Sequence, residues 1–204
     1  VDDVRRFTGQ GGHLLVVGGG YVAAELAHFC GTFGSDVTIV GRRPTLVPEA
    51  DREVATAFTE RYADRFTVHV GHAATAATTG DGEITVTAHP YEYEREDGDE
   101  HANAGSGADD GRVVAGDPVT ATGDALLVAA GRVPNTDRLN PAAAGIATDD
   151  RGFVETDDYL RTTAADVWAL GDVVGEYLLK HAANHEARAV VRDLFGEGEP
   201  IDYS

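Results

Sequence analysis

Methionine is absent from this 204-residue sequence, lysine occurs once, at Lys180, and cysteine once, at Cys30. Each scarcity excludes something. A chain without methionine that opens on Val1 is expected to be an excised part of a longer polypeptide. A single cysteine rules out an internal disulfide framework and fits a reducing cytoplasm. On the apolar stripe where it falls, Cys30 reads as a small buried residue. Long apolar runs are lacking too. None approaches the roughly 20 residues of a membrane-spanning helix, and the charged opening Val1-Asp2-Asp3-Val4-Arg5-Arg6 is unlike a secretory leader. The expectation is a cytoplasmic protein with no membrane partner. Positive charge is also scarce: 16 Lys and Arg stand against 35 Asp and Glu, a formal net charge of -19. A field of that sign repels phosphate backbones, which argues against nucleic acid as a partner. It suits a salt-rich cytoplasm, where self-repulsion is screened within about 3 Å at 1 M ionic strength, and points to a halophilic source.

What is present suffices for a core, since 42% of the residues are apolar and they come in blocks bounded by glycine and proline. Residues 13–17 form a short apolar run ending in glycines, the mark of a buried parallel strand. From Gly20 the period becomes helical, with Val22, Leu26, Phe29, Cys30 and Phe33 on one stripe and Gly34 as the stop. A β-branched strand follows at 36–40. Asp51 is placed to cap a helix running to about Tyr62, with Val54, Phe58 and Tyr62 facing the core, and another strand spans 66–70. This alternation predicts an α/β fold, a Rossmann-like doubly wound parallel sheet. Beyond Gly71, residues 84–88 and 119–122 read as members of a small antiparallel β-meander. Between them, 94–111 is mostly Asp, Glu, Gly, Ala and Ser, and reads as a flexible acidic loop with too little apolar surface to order itself. A buried strand at 125–130 ends at Gly131. The remainder predicts a short strand at 167–170 and a helix at 178–195. The expected division is a nucleotide-binding domain at 11–131 and a second segment at 132–204.

The chemistry centres on Gly18-Gly19-Gly20-Tyr21-Val22-Ala23, a G-x-G-x-x-A between a strand and a helix. Gly18 permits the tight turn, Gly20 lets backbone approach a pyrophosphate, and Ala23 keeps helix and strand close. The helix N-terminus offers free N–H groups and the positive end of its dipole. Such a motif alone is weak, but here strand, helix and a second strand frame it. At the end of that second strand an acidic residue would select NAD, whereas an arginine accepts the 2′-phosphate of NADP. The sequence has Val40-Gly41-Arg42-Arg43 there. Planar guanidinium donors match phosphate well, which favours NADP over NAD; the alternative is that both arginines simply face solvent. His181 and His185 have helical i, i+4 spacing, but the zinc-protease glutamate between them and a third ligand are missing, so no metal is expected.

Three motifs together carry a family resemblance. Gly18 through Glu25, Ala130-Gly131-Arg132-Val133-Pro134-Asn135, and Thr162 through Trp168-Ala169-Leu170-Gly171-Asp172-Val173 resemble those of the FAD-dependent pyridine nucleotide-disulfide oxidoreductases. The segment from Tyr177 to Arg188 is most similar to the dihydrolipoamide dehydrogenase and mycothione reductase branch. The resemblance implies an NAD(P)H-binding domain followed by the C-terminal part of an FAD-binding domain. It implies NAD(P) contacts at Gly18, Gly19, Gly20, Tyr21, Val22, Glu25, Arg42, Arg43 and Gly131. Tyr21 would cover the flavin until nicotinamide displaces it, and Glu25 would sit by the carboxamide. FAD contacts are implied at Asp172, as acceptor for a ribityl hydroxyl, and at Leu178, Leu179, Lys180 and His181, where a helix N-terminus would stabilise anionic reduced flavin.

The departures bear on function as strongly. The family's redox cysteine pair and its first flavin motif lie upstream of the nucleotide domain, and its catalytic His–Glu pair lies downstream. No catalytic residue is therefore expected within this stretch, and Cys30 matches neither redox cysteine. The resemblance implies a small dithiol or disulfide substrate, or a lipoyl group, and a homodimeric parent. Two other readings stay open: a flavin oxidase or ferredoxin reductase lacking a redox disulfide, and a non-catalytic nucleotide-binding module.

Overall fold

The computed structural model describes residues 11–93 and 111–203. The acidic loop at 94–111 lies, apart from Gly111, outside the described residues. The chain divides into two compact units that exchange at Gly131 and Arg132.

The first unit is built on a parallel sheet. β1 (His13–Val17) pairs with β2 (Asp36–Gly41) on one side and β8 (Ala125–Val128) on the other, and β3 (Thr67–Val70) extends the order to β3-β2-β1-β8. The register runs His13 to Asp36 and Leu14 to Ala125. Because successive side chains point to opposite faces, Leu14 and Val16 meet Val37 and Ile39 on one side. Leu15 turns to the other, against the position of Gly123. Both faces are covered, which explains the unbroken apolar run of β1. Helices α1 (Tyr21–Thr32) and α2 (Arg52–Ala63) share the first face.

The second face is met by the antiparallel sheet. Its long central strand β5 (Glu83–Tyr93) pairs with β4 (His72–Gly80) along one edge and with β7 (Val119–Gly123) and β6 (Gly111–Val113) along the other. The meander expected from the sequence is therefore present and larger than anticipated. β4 is built from Ala, Thr and His, and its mostly exposed surface leaves no apolar alternation to read.

Two helical stripes differ from expectation. In α1 the buried residues are Ala23, Ala24, Ala27 and Cys30, while Leu26, Phe29 and Phe33 are exposed. Small side chains let the helix lie close to the sheet, so tertiary fit overrides bulk hydrophobicity. In α2, Ala55 is buried and Val54 exposed, but Phe58 and Tyr62 stack at 4.2 Å against the core as predicted. Asp51 occupies the N-cap position without a side-chain cap bond.

In the second unit, short 3-10 turns at Thr136–Arg138, Pro141–Ala144 and Gly171–Val173 precede helix α3 (Lys180–Leu194). The strand expected at 167–170 is instead an isolated bridge between Arg161 and Trp168. Leu160 and Asp166, next to that single pairing, both have positive φ, at 62° and 60°. Asp193 on α3 clasps this region, accepting from Arg161 Nε at 2.7 Å and Trp168 Nε1 at 2.9 Å. These donors hold its carboxyl below the usual range, Arg161 contributing first.

Leu15, at 1% exposure, sits at the centre of the first unit. Leu15→Ala is expected to cost about 2–5 kcal/mol, read as a lower urea midpoint with an unchanged slope.

Candidate functional site

The turn after β1 is set by backbone crowding. The Gly18 N–H donates to Val40 O at 2.9 Å, and Ala129 N–H donates to Val17 O at 2.7 Å, so the end of β1 is held between β2 and β8. Gly18 has φ +136°, and a Cβ there would overlap the Ala129 carbonyl. No side chain fits. At Gly19 a Cβ would meet only ordinary contacts, the nearest 3.6 Å away on Leu46. Gly20 is the N-cap of α1, extended at ψ -175°, and no side chain caps the helix start. Three consecutive glycines thus deliver a bare helix N-terminus to the carboxyl edge of the parallel sheet. Such a terminus is suited to an anionic ligand. Tyr21 is exposed in the first turn, Val22 is half-buried, and Glu25 is exposed one turn on, in line with Tyr21.

A second wall was not legible in the sequence. Val47 N–H donates to the Gly19 carbonyl at 2.6 Å, and Leu46 is buried in the core with its N–H on Thr59 Oγ1 at 2.9 Å. Val47 adopts φ 43°, uncommon for a β-branched residue. Glu49 Oε1 lies 3.4 Å from where a Cβ of Gly20 would stand. Glu49 is exposed overall, but crowding around its carboxyl raises its pKa, opposed by its own backbone N–H and by the Arg43 charge. The Pro44–Pro48 spacing could have flagged a fixed loop; nothing in it pointed at the glycines.

Arg42 and Arg43 follow β2 and are half-buried. The Arg42 guanidinium lies 6.0 Å from the Tyr91 ring centre, and the Arg43 carbonyl accepts from Gly71 N–H at 2.9 Å. That bond sets His72 beside the end of β2. His72 Nδ1 meets Val70 O at 2.8 Å, so the proton is on Nδ1. His69, paired in register with Val40, has its pKa lowered by burial and then by His72. Gly131, with φ +109°, follows β8.

The second unit carries its own cleft of about 350 Å³, lined by Arg132, Pro134, Asn135, Phe153, Asp172 and Leu178 among others. Arg132 Nη1 donates to Leu178 O at 2.6 Å and lies 3.5 Å from the Asp172 carboxylate. The structure thus brings Asp172 and Leu178 together, and adds Arg132, Asn135 and Phe153, which sequence reasoning had not assigned to that cleft. Leu179 is the extended N-cap of α3, without a side-chain cap bond; Lys180 and His181 begin the helix and are exposed. A carboxylate acceptor, a guanidinium and an uncapped helix start form a donor set that fits a polyhydroxylated, phosphorylated cofactor such as FAD. His185 Nε2 bonds Asp202 O at 2.9 Å. Among the described residues no group of three His, Cys, Asp or Glu could hold a metal ion, and no helix is long and apolar enough to cross a membrane.

The family described as pyridine nucleotide-disulphide oxidoreductase matches residues 1–187. The chain is 35% identical over 201 residues to mycothione reductase of Mycobacterium tuberculosis, covering 97% of this chain and 37% of the relative. It is 32% identical over 192 residues to dihydrolipoyl dehydrogenase 3 of Haloarcula marismortui, covering 93% and 36%. Among solved structures it is similar to the HOCl-induced flavoprotein disulfide reductase RclA of Escherichia coli (TM-score 0.72, 29% identity, 93% of this chain and 37% of that one). The chain therefore spans little more than a third of these relatives.

Two outcomes follow from the geometry. Gly18→Ala is expected to destabilise the first unit by at least about 2 kcal/mol, from positive φ and backbone overlap together. Gly19→Ala should cost less than about 1 kcal/mol; thermal melts distinguish them. Because His69 has a folded pKa below its ordinary 6.5, stability is expected to fall as pH drops through 6.5 toward that lower value. His69→Gln should flatten that part of the stability–pH curve, and an unchanged curve would count against the burial assigned to this ring.

Proposed function

The chain belongs to the pyridine nucleotide-disulphide oxidoreductase family, and from that membership we propose that it is the electron-input portion of an FAD-dependent NAD(P)H:disulfide oxidoreductase. The observation that carries the reading is the bare N-terminus of α1, delivered by Gly18–Gly20 to the edge of the parallel sheet. Residues 11–131 bind the dinucleotide and 132–204 supply part of the FAD site. The pyrophosphate is received by the N–H groups of the first turn, where the dipole favours negative charge. Tyr21, Val22 and Glu25 line the nicotinamide side. Arg42 and Arg43 receive a ribose 2′-phosphate, since guanidiniums rather than a carboxylate follow β2 in sequence. Gly131 leaves the nucleotide side open after β8.

In the second unit, Asp172 accepts from a cofactor hydroxyl, and the first turn of α3, with Leu178, Leu179, Lys180 and His181, offers uncapped N–H groups to an electron-rich ring edge. FAD, when bound, would supply the two-electron chemistry that links nicotinamide to the electron acceptor. The chain's own residues bind, orient and stabilise charge, and none of them is a redox centre. Cys30 is buried, and burial pushes its thiol pKa up, the opposite of an activated nucleophile. The curated relatives include a mycothione reductase and dihydrolipoyl dehydrogenases. Their names support a small disulfide or a lipoyl group as substrate of the whole protein, which we take to be a cytoplasmic homodimer. The acidic, lysine-poor composition supports a salt-rich interior as its setting.

The test is titration of this chain with NADPH and with NADH in molar salt, followed by calorimetry. NADPH is expected to bind at least about tenfold more tightly, a difference of roughly 1.4 kcal/mol. Arg42→Glu should weaken NADPH far more than NADH. Equal affinity for the two, or tighter NADH, would overturn the role given to the arginines.

A further inference from the structure

Glu186 is a charged side chain with no exposure at all, and nothing said so far uses it. It lies in the second turn of α3 and reaches back to the turn that carries Asp172. Its Oε2 accepts from the Gly171 N–H at 2.5 Å, and its Oε1 accepts from the Tyr203 hydroxyl at 2.9 Å. Both partners donate and both carboxylate oxygens accept, so the group is satisfied inside the protein. A buried carboxylate is costly unless hydrogen-bonded, so the arrangement is rigid: removing the acceptor leaves two buried donors unpaired.

The place of this bond is what matters. Gly171 has φ +76°, and a Cβ there would stand 3.5 Å from Ala183 Cβ, so the turn lies directly against α3. The next residue is Asp172, whose carboxylate faces the cleft beside Arg132. The same helix begins at Lys180, after the uncapped Leu179. One carboxylate therefore fixes the spacing between the acidic turn and the helix start. Tyr203 secures the far oxygen. Its ring packs on Tyr177 with centroids 4.7 Å apart, and its hydroxyl pKa is pushed up by burial and then by Glu186.

We propose that Glu186 is a positioning residue for FAD: by holding the Gly171 N–H it aims the Asp172 carboxylate and keeps it in register with the N-terminus of α3. This rests on the reading of Asp172 as a flavin contact. The effect is indirect, since Glu186 is sealed from the cleft and acts through the turn.

The test uses the complete polypeptide encoded by the gene, with FAD affinity read from quenching of flavin fluorescence and folding read separately by melting temperature. Asp172→Asn is expected to weaken FAD at least about tenfold. Glu186→Leu, similar in volume but without an acceptor, should weaken it by a comparable factor, and the double variant should be no more than about threefold worse than the poorer single one, the non-additivity of residues acting as a unit. Glu186→Gln should keep affinity within about threefold, because its amide oxygen can still accept from Gly171 while the amide group faces the Tyr203 oxygen. If Glu186→Leu does not fold, Glu186→Asp, which keeps the charge but shortens the reach, takes its place with the same expectation. The proposal is overturned if Glu186→Leu or its substitute lowers only the melting temperature, or if its loss multiplies in full with that of Asp172→Asn. An Asp172→Asn variant with unchanged FAD affinity would instead overturn the flavin reading of the turn itself.

Discussion

At Gly18 the ends of three adjacent parallel strands, β2, β1 and β8, meet, and the absence of a side chain is what allows it. The Gly18 N–H reaches Val40 on β2, and the space a Cβ would fill belongs to the Ala129 backbone just beyond β8. With φ +136° the chain reverses at once, so the next glycines place the first turn of α1 at the sheet edge rather than above it. Everything functional in the first unit inherits that geometry. The strap through Leu46 and Val47 closes on the Gly19 carbonyl, and Arg42 leaves β2 alongside. A side chain at position 18 would separate the strand ends or displace the helix.

The frame of the first unit was legible because its signals are local and mutually consistent. An apolar run, a glycine turn and an alanine-rich helical period fix β1 and α1 without knowledge of the partners. The failures have a common cause. Leu26, Phe29 and Phe33 were expected inside on hydrophobicity, yet the sheet accepts only Ala23, Ala24, Ala27 and Cys30 at close range. β4 escaped notice because its pairing with β5 comes from backbone register, not from an apolar pattern. Residues 167–170 have strand-like composition, but they form one isolated bridge, flanked by positive φ at Leu160 and Asp166.

The candidate site divides along the same line. Glycines and arginines announce themselves by motif and spacing. Val47, Glu49 and Glu186 act through contacts 15 or more positions distant, which no local pattern encodes. Glu186 in particular reads as an ordinary polar residue of an amphipathic helix until its burial against Gly171 and Tyr203 is seen. The acidic turn at Asp172 was recognisable by resemblance; its clamp was not, nor was the position of the motif residue Arg132 beside it.

The central claim is that this chain admits electrons to a flavin from a reduced nicotinamide. Anaerobic rapid mixing of the FAD-loaded complete polypeptide with NADPH tests it most directly, by following the visible flavin band. The account predicts loss of that band in a single fast phase whose rate saturates with NADPH. A flavin band that shows no change at any time after mixing with either NADPH or NADH, while FAD remains bound, would contradict it.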